Sequence, residues 1–168
     1  PGLAGTDVVG IAQTGTGKTG AFMVPALERL RAGAGLQVLV LCPTRELAQQ
    51  VADDTVSLSM GTNIRTAAIF GGVGYGPQIE ALESGFEVIV ATPGRFIDHA
   101  HSKRVDLNSV NYLVLDEADR MLDMGFRPQI EEVLKGMPKK RQTMLFSATM
   151  PNGVHDLALR ITREAIWV

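Results

Sequence analysis

The sequence predicts a single α/β domain, with a parallel sheet of about seven strands and helices on both of its faces. Short apolar runs rich in β-branched residues alternate along the 168 residues with longer segments of helical period. The runs are apolar throughout rather than on alternate residues, which is typical of parallel strands that are covered on each side. A hydrophobic content of 45% suits one compact domain with a sizeable core.

Each predicted element follows from one of these two patterns. The runs that predict strands are, in chain order, 8–12, 38–42, 66–70, 88–91, 112–116 and 143–147, with a short apolar run at 166–168. The segments that predict helices include 44–60, 76–84, 94–101, 127–136 and 152–162. In the first of these helices, Leu47, Val51 and Leu58 are expected on one buried face. The sequence shows no internal repeat, low-complexity tract or linker, so we treat residues 1–168 as one domain.

Composition excludes several classes of protein. The net charge of −2 gives no general attraction for nucleic acid, so any such binding must depend on a local patch. The single cysteine, Cys42, rules out an internal disulfide and a cysteine metal cage, and its apolar run predicts a buried thiol. No apolar segment approaches the roughly 20 residues needed to cross a bilayer, and there is no signal-peptide pattern. We therefore expect no membrane association.

Nearly every predicted strand leads directly into a polar turn that contains Gly, Pro or a charged residue. The turns read AQTGTGKT, PTRE, GGVGYG, TPGR, DEAD and SAT. In a parallel sheet all the strand carboxyl ends lie along one edge, where ligands bind. We therefore expect these turns to converge on a common surface.

The first turn, residues 12–19, has the pattern of a phosphate-binding loop. It matches G-x-x-x-x-G-K-S/T between a strand and a helix, with Ala12 in place of the first glycine. Gly15 and Gly17 allow the backbone N–H groups to point at phosphate oxygens, and Lys18 supplies a positive charge. The Thr19 hydroxyl is placed to bind Mg²⁺. The alternative is an ordinary glycine-rich turn. The predicted phosphate-binding residues are Ala12, Gln13, Thr14, Gly15, Thr16, Gly17, Lys18 and Thr19.

The turn after the fifth predicted strand concentrates carboxylates at Asp116, Glu117 and Asp119. A phosphate loop requires a carboxylate at the end of another buried strand to hold Mg²⁺, and Asp116 is so placed. Glu117 is then placed to act as general base on the attacking water. We expect Asp119 to hydrogen-bond Ser147 or Thr149 of the SAT turn. The alternative is a solvated acidic loop that favours the N-terminus of the next helix.

Taken in order, these motifs resemble the first RecA-like domain of DEAD-box ATP-dependent RNA helicases. The segments VLDEADRMLDMGF and LFSATMP extend the resemblance, which covers essentially the whole chain. It implies a RecA-like P-loop NTPase fold with ATP and Mg²⁺ as cofactors, and it implies Lys18, Asp116 and Glu117 as catalytic residues. It also implies that a group of residues couples hydrolysis to strand separation: Asp119, Ser147, Ala148 and Thr149.

The resemblance further implies an RNA-backbone site made of hydroxyls, glycine N–H groups and arginines, which bind phosphates and 2′-OH groups without reading bases. The matching positions are Pro43, Thr44, Arg45, Gly71, Gly72, Thr92, Pro93, Gly94 and Arg95. Taken alone, Thr44 and Arg45 are also explained as a helix cap and a surface ion pair with Glu46. The TPGR segment is likewise explained by a plain Pro-Gly turn.

The resemblance places this chain within a longer protein that begins upstream with an adenine-reading glutamine segment and continues into a second RecA-like domain. We expect the whole protein to be a cytoplasmic, bacterial-type, monomeric helicase that hydrolyses ATP to remodel or unwind RNA. We expect the chain alone to bind nucleotide weakly, to hydrolyse it very slowly and to unwind nothing. A second hypothesis is an ATP-dependent RNA clamp or scaffold that does not unwind.

A third hypothesis is an unrelated phosphate-loop protein such as a GTPase or a small-molecule kinase. It predicts a guanine-reading N-K-x-D motif or an acceptor lid, and the sequence contains neither. The three histidines, His99, His101 and His155, lack metal-ligand spacing, so we expect surface or capping roles for them. The basic run at 139–141 precedes a strand and is expected to be a solvated loop.

Overall fold

The computed structural model describes residues 1–13 and 18–168, and these form an α/β domain around one fully parallel sheet. The strands are β1 (Val8–Ile11), β2 (Val38–Leu41), β3 (Thr66–Ile69), β4 (Val88–Ala91), β5 (Tyr112–Leu115), β6 (Gln142–Ser147) and β7 (Ile166–Trp167). Their order across the sheet is β3-β4-β2-β5-β6-β1-β7, and every neighbouring pair is parallel. The predicted fold class is confirmed.

The helices occupy the connections between strands. They are α1 (Lys18–Arg29), α2 (Arg45–Leu58), α3 (Tyr75–Ser84), α4 (Pro93–His101), α5 (Ala118–Asp123), α6 (Arg127–Lys135) and α7 (Asn152–Ile161), and a short 3₁₀ turn covers Gly2–Ala4. No helix among the described residues is long and apolar enough to cross a membrane.

The sheet is covered on both faces, because successive residues of each strand point in opposite directions. In β2, Val38 and Val40 belong to a cluster that includes buried side chains of α1 and α2. Leu39 and Leu41 belong to the opposite cluster, which α4, α5, α6 and α7 complete. All four side chains are at most 1% exposed, so this interior strand is apolar on both faces as predicted.

Helix α2 shows where the predicted periodicity fails. Thr44 caps this helix by accepting a hydrogen bond at Oγ1 from the Leu47 N–H at 3.2 Å. Leu47 and Val51 are buried as predicted, but Leu58 is 46% exposed, so its predicted burial is wrong. Leu58 is the final residue of α2, whereas Thr55 is fully buried in the preceding turn.

The amino edge of the sheet contains a buried carboxylate with a full set of partners. Glu87, just before β4, accepts hydrogen bonds from the Arg65 backbone N–H and from Arg65 Nη2, both at 2.8 Å, and from Arg65 Nε at 3.4 Å. Burial acts to raise the pKa of Glu87, but the Arg65 contacts outweigh it and lower that pKa. This ion pair ties the start of β3 to the start of β4.

The basic run at 139–141 also lies at the amino edge, and its last member is not solvated as expected. Lys139 and Lys140 are exposed, whereas Arg141 is half-buried. The Arg141 guanidinium donates hydrogen bonds to the carbonyls of Pro138 at 3.0 Å and Ile161 at 3.3 Å. The prediction of a solvated loop is therefore wrong for Arg141, which holds the end of α7 close to β6.

Cys42 directly follows β2 and is fully buried, as predicted. Burial raises the pKa of the Cys42 thiol well above its usual value, and the nearby carboxylates of Asp116 and Glu117 raise it further. The thiol is therefore inert in the folded domain.

Candidate functional site

The motif turns follow β1 to β6 and so lie along the carboxyl edge of the sheet, as predicted. The strand order divides them into two groups. The turns after β5, β6 and β1, which we call the phosphate-loop half, contain the DEAD, SAT and AQTGTGKT segments. The turns after β3, β4 and β2, which we call the arginine half, contain the GG, TPGR and PTRE segments. The halves meet where β2 pairs with β5.

The phosphate-loop half centres on a buried ion pair. Lys18 Nζ lies 2.8 Å from Asp116 Oδ1, and the two side chains are 7% and 0% exposed. The pair spans the end of β6, because β6 separates β1 from β5. The backbone N–H of Asp116 donates to the Leu41 carbonyl at 2.9 Å, which fixes the start of this turn to β2.

This pair is incompletely satisfied. The two charged groups are close, but in the described ranges neither Lys18 Nζ nor either Asp116 carboxylate oxygen makes a hydrogen bond of good geometry. Burial raises the pKa of Asp116, and the contact with Lys18 lowers it without reversing the shift. Buried charges without hydrogen bonds are costly, so this arrangement is suited to receiving further partners.

The rest of the predicted phosphate loop is only partly described. Ala12 donates a hydrogen bond from its N–H to the Ser147 carbonyl at 3.0 Å, and Gln13 follows it. Thr19 lies beside Lys18 in the first turn of α1 and is half-buried. The central residues of the predicted loop, Thr14, Gly15, Thr16 and Gly17, lie outside the described residues.

Glu117 adopts a backbone conformation that is rare for its residue type. Its φ of 53° and ψ of 54° are left-handed, which costs about 1–2 kcal/mol for a residue with a Cβ. The side chain is 13% exposed, and its Oε1 lies 3.8 Å from Arg120 Nη1. Strained backbone of this kind concentrates at functional sites, where surrounding structure holds it in place.

Asp119 joins the DEAD turn to the SAT turn, the contact expected from the sequence. Its Oδ2 accepts hydrogen bonds from Thr149 Oγ1 at 2.8 Å and from the Thr149 N–H at 3.1 Å. Its own N–H donates to Ser147 Oγ at 3.1 Å. Burial acts to raise the pKa of Asp119, but the Thr149 hydroxyl and the other donors lower it overall. Ser147 is fully buried, whereas Ala148 and Thr149 are exposed.

In the arginine half, Arg45 reaches from the turn after β2 to the turn after β3. Its guanidinium carbon lies 5.7 Å from the centre of the Phe70 ring. Gly72 has a φ of 84°, and a Cβ at this position would lie 3.0 Å from Arg45 Nη1. Arg45 Nε also lies 3.9 Å from Glu46 Oε1. The helix cap and surface ion pair considered for Thr44 and Arg45 are thus both present, on a surface that includes the GG turn.

Arg95 connects the turn after β4 to the same segment. Its guanidinium carbon lies 3.9 Å from the centre of the Tyr75 ring. Its Nη1 donates to the Val73 carbonyl at 2.9 Å and to Gln78 Oε1 at 3.2 Å. Of the other predicted RNA-binding positions in this half, Gly71 and Gly94 are half-buried, and the remaining three are buried: Pro43, Thr92 and Pro93.

The sequence did not lead us to place two polar residues, Gln78 and His99, in this surface. Gln78 is buried, and its Oε1 lies 3.0 Å from Nε2 of His99, which is fully buried. The expectation of a surface or capping role for His99 is therefore wrong, whereas His101 and His155 are exposed as expected. The spacing of Arg95 and His99, which are four residues apart on α4, was the available signal that they share a helix face.

Comparison with known proteins places these features in a family. A family model described as "DEAD/DEAH box helicase" matches residues 1–157. The chain is 48% identical to the putative DEAD-box RNA helicase HEL64 of Trypanosoma brucei brucei, over 99% of this chain and 30% of that protein. It is also 48% identical to the ATP-dependent RNA helicase DBP2 of Chaetomium thermophilum, over 99% of this chain and 31% of that protein.

The fold agrees with these sequence matches. The crystal structure of a DEAD box protein from Methanococcus jannaschii superposes with a TM-score of 0.92 and 41% identity, covering 96% of this chain and 44% of that one. The chain spans about a third of the length of the curated relatives that it matches. A match of this extent, on a domain that has the expected RecA-like sheet, identifies the chain as a member of the DEAD/DEAH box helicase family.

Proposed function

We propose that this chain is the ATP-binding and RNA-binding first motor domain of an ATP-dependent RNA helicase. The observation that carries the proposal is the buried Lys18–Asp116 pair, whose charged atoms make no hydrogen bond of good geometry with the described residues. The matched relatives, which are named as RNA helicases, support the proposal.

The residues fit a magnesium nucleotide. No group of three or more His, Cys, Asp or Glu side chains in the described ranges could hold a metal ion by itself. A site with one carboxylate and one hydroxyl is instead typical of phosphate-loop NTPases, where nucleotide phosphates and water supply the remaining oxygens of Mg²⁺. Asp116 and Thr19 would supply those two ligands. When bound, Mg²⁺ would neutralise charge on the phosphates of ATP.

The chain's own residues have separate tasks in this proposal. Lys18 exchanges its contact with Asp116 for the outer phosphates, which satisfies the charge on Nζ. Glu117, mostly buried and held in a left-handed turn, accepts the proton of the attacking water. Asp119 holds the SAT turn against the DEAD turn through Thr149 and Ser147, so a displacement of one turn displaces the other.

The arginine half supplies the RNA-binding part of the proposal. The hydroxyl of Thr44, the N–H groups of the GG turn and the guanidinium groups of Arg45 and Arg95 suit a phosphate backbone and not base edges. We propose that RNA binds here without sequence preference, and that a second RecA-like domain of the same parent protein completes both sites. Arginines from such a domain would supply the transition-state charge that accelerates hydrolysis.

Binding of a fluorescent ATP analogue to this chain, with and without Mg²⁺, tests the nucleotide site. We expect Mg²⁺ to strengthen binding, and we expect Lys18→Ala to weaken it at least about tenfold because one charged contact with phosphate is lost. Glu83→Gln, an exposed change at the far end of α3, is the matched control and should bind as the original chain does. Equal binding by Lys18→Ala and the original chain would refute the nucleotide site.

A further inference from the structure

Three contacts hold the Arg95 guanidinium, and one edge of its N–H donors stays open. The Tyr75 ring covers one of its faces at 3.9 Å. Both hydrogens of Nη1 are engaged, one by the Val73 carbonyl and one by Gln78 Oε1. No residue in the described ranges accepts a hydrogen bond from Nε or Nη2. The remaining edge is a planar fork of N–H donors, the geometry that binds two oxygens of one phosphate.

The neighbours of Gln78 determine which way its side-chain amide is oriented. Its amide nitrogen donates to the Phe70 carbonyl at 2.8 Å, which makes Oε1 the atom that faces Arg95 and His99. Oε1 can only accept, so His99 must present a protonated Nε2. Arg104 Nη1 can only donate, and it lies 3.3 Å from His99 Nδ1, which must therefore be unprotonated.

A single tautomer of neutral His99 satisfies all of these contacts. Burial lowers the pKa of His99, and the positive charges of Arg104 and Arg95 lower it further, which favours the neutral ring. Tyr75 is fixed in the same way, because its hydroxyl donates to Asp98 Oδ2 at 2.7 Å. The α4 residues Asp98 and His99 thus hold the two α3 residues that contact Arg95.

From this geometry we infer that Gln78 and Tyr75 are positioning residues, which preset the Arg95 fork to bind one phosphodiester of RNA. The inference rests on the proposed RNA-binding function and adds to it how the arginine is aimed. A free arginine side chain loses rotamer freedom when it binds, and a preset arginine has already lost it on folding. The benefit therefore appears as RNA affinity.

An NMR chemical-shift titration of this chain with a short single-stranded oligouridylate at low salt tests the inference. We expect Arg95→Ala to weaken RNA binding at least about tenfold, since a charge-assisted pair is lost. Gln78→Leu should weaken it about fivefold, and Tyr75→Ala about threefold, because each frees the guanidinium on one side. Tyr75→Phe keeps the ring and should stay within about twofold of the original chain.

Two readouts separate positioning from a general structural role. In an Arg95→Ala background, Gln78→Leu should change RNA affinity by less than about twofold, because the residue it positions is gone. Binding of the magnesium nucleotide should be unchanged in Gln78→Leu and Tyr75→Ala, as in the control Glu83→Gln. Tyr75 is 42% exposed, so its truncation tests the inference even if Gln78→Leu does not fold.

The possible failures are distinguishable. If the original chain does not bind oligouridylate, or if Arg95→Ala binds as well as it does, the proposed RNA site fails and the positioning role fails with it. If Arg95→Ala is weakened but Gln78→Leu and Tyr75→Ala bind normally, only the positioning role is wrong. The positioning role is also wrong if Gln78→Leu weakens RNA binding equally with and without Arg95.

Discussion

Glu87 and Asp116 are both fully buried carboxylates of the same sheet, but they lie at opposite edges and have opposite surroundings. Glu87, at the amino edge, accepts three hydrogen bonds from Arg65, and its pKa is lowered. Asp116, at the carboxyl edge, has one nearby cation, no hydrogen bond of good geometry to its side chain from the described residues, and a raised pKa.

The difference separates a carboxylate that stabilises the fold from one that, in the proposed function, is available to a ligand. Burying a charge is favourable only when the partner geometry repays its loss of water. Arg65 provides that geometry for Glu87 with two guanidinium N–H donors, at 2.8 and 3.4 Å, and a backbone N–H at 2.8 Å. Lys18 provides Asp116 with a single charged partner and no hydrogen bond of good geometry, so we expect the fold to depend less on Asp116 than on Glu87.

The largest expected effect comes from removing the satisfied carboxylate. Glu87→Ala should lower the free energy of unfolding by about 2 kcal/mol, because the Arg65 backbone N–H and guanidinium lose their acceptor. The Arg65 side chain is 48% exposed, so water restores part of this loss. Urea denaturation measures the change, and Glu83→Ala on exposed α3 should stay within about 0.5 kcal/mol. Equal losses of unfolding free energy in Glu87→Ala and Glu83→Ala would contradict the stabilising role of Glu87.

The pH dependence of stability should reveal the same carboxylate. The pKa of Glu87 is lower in the fold than its ordinary value of 4.5, so the ionised form stabilises the fold. Its contribution is therefore complete above about pH 4.5 and is lost as the pH falls through the folded-state pKa. The stability difference between the original chain and Glu87→Gln should be greatest near neutrality and should shrink in acid. A stability difference that grows as the pH falls would show that folding does not lower the pKa of Glu87.

A smaller effect is expected at the other edge. Asp116→Asn removes a poorly satisfied charge but leaves Lys18 without its partner, so the two consequences oppose each other. The free energy of unfolding should change by less than about 1 kcal/mol in either direction. Urea denaturation beside Glu87→Ala provides the direct comparison. A loss as large as that of Glu87→Ala would show that the fold depends equally on both carboxylates.

The smallest effect is expected where the phosphate-loop half is exposed. Thr149→Val removes the hydroxyl that donates to Asp119 but keeps the backbone N–H bond at 3.1 Å. Because this contact is open to solvent, the loss should be about 0.5 kcal/mol. Thermal denaturation with Thr149→Ser as the control, which keeps the hydroxyl, measures it. If Thr149→Val lowers the free energy of unfolding more than Asp116→Asn does, the contact between the SAT and DEAD turns stabilises the whole fold.

The sequence was sufficient for features that depend on local pattern. The six longer strands lie within one residue of their predicted bounds, since each is a compact apolar run. The contact of Asp119 with Thr149 could be anticipated because both belong to turns on the same edge of a parallel sheet.

Features that depend on how distant elements pack were not accessible in this way. The Lys18–Asp116 pair requires that β6 lie between β1 and β5, an order that the chain sequence does not specify. The contacts of Gln78 with Arg95 and His99 require α3 to lie beside α4, and no periodicity within either helix reports that. Leu58 has the spacing of a core residue but occupies the last position of its helix.

Cys42 gives this molecule a built-in reporter. It is the only cysteine, and its buried thiol lies between the end of β2 and the acidic turn after β5. Its backbone N–H donates to the Ala91 carbonyl of β4 at 2.8 Å, within the arginine half, while the carboxylates of Asp116 and Glu117 in the phosphate-loop half are near enough to raise the pKa of its thiol. A thiol reagent can modify Cys42 only when the packing around this buried thiol opens. The labelling rate would therefore time the opening of the domain's centre without any engineered probe.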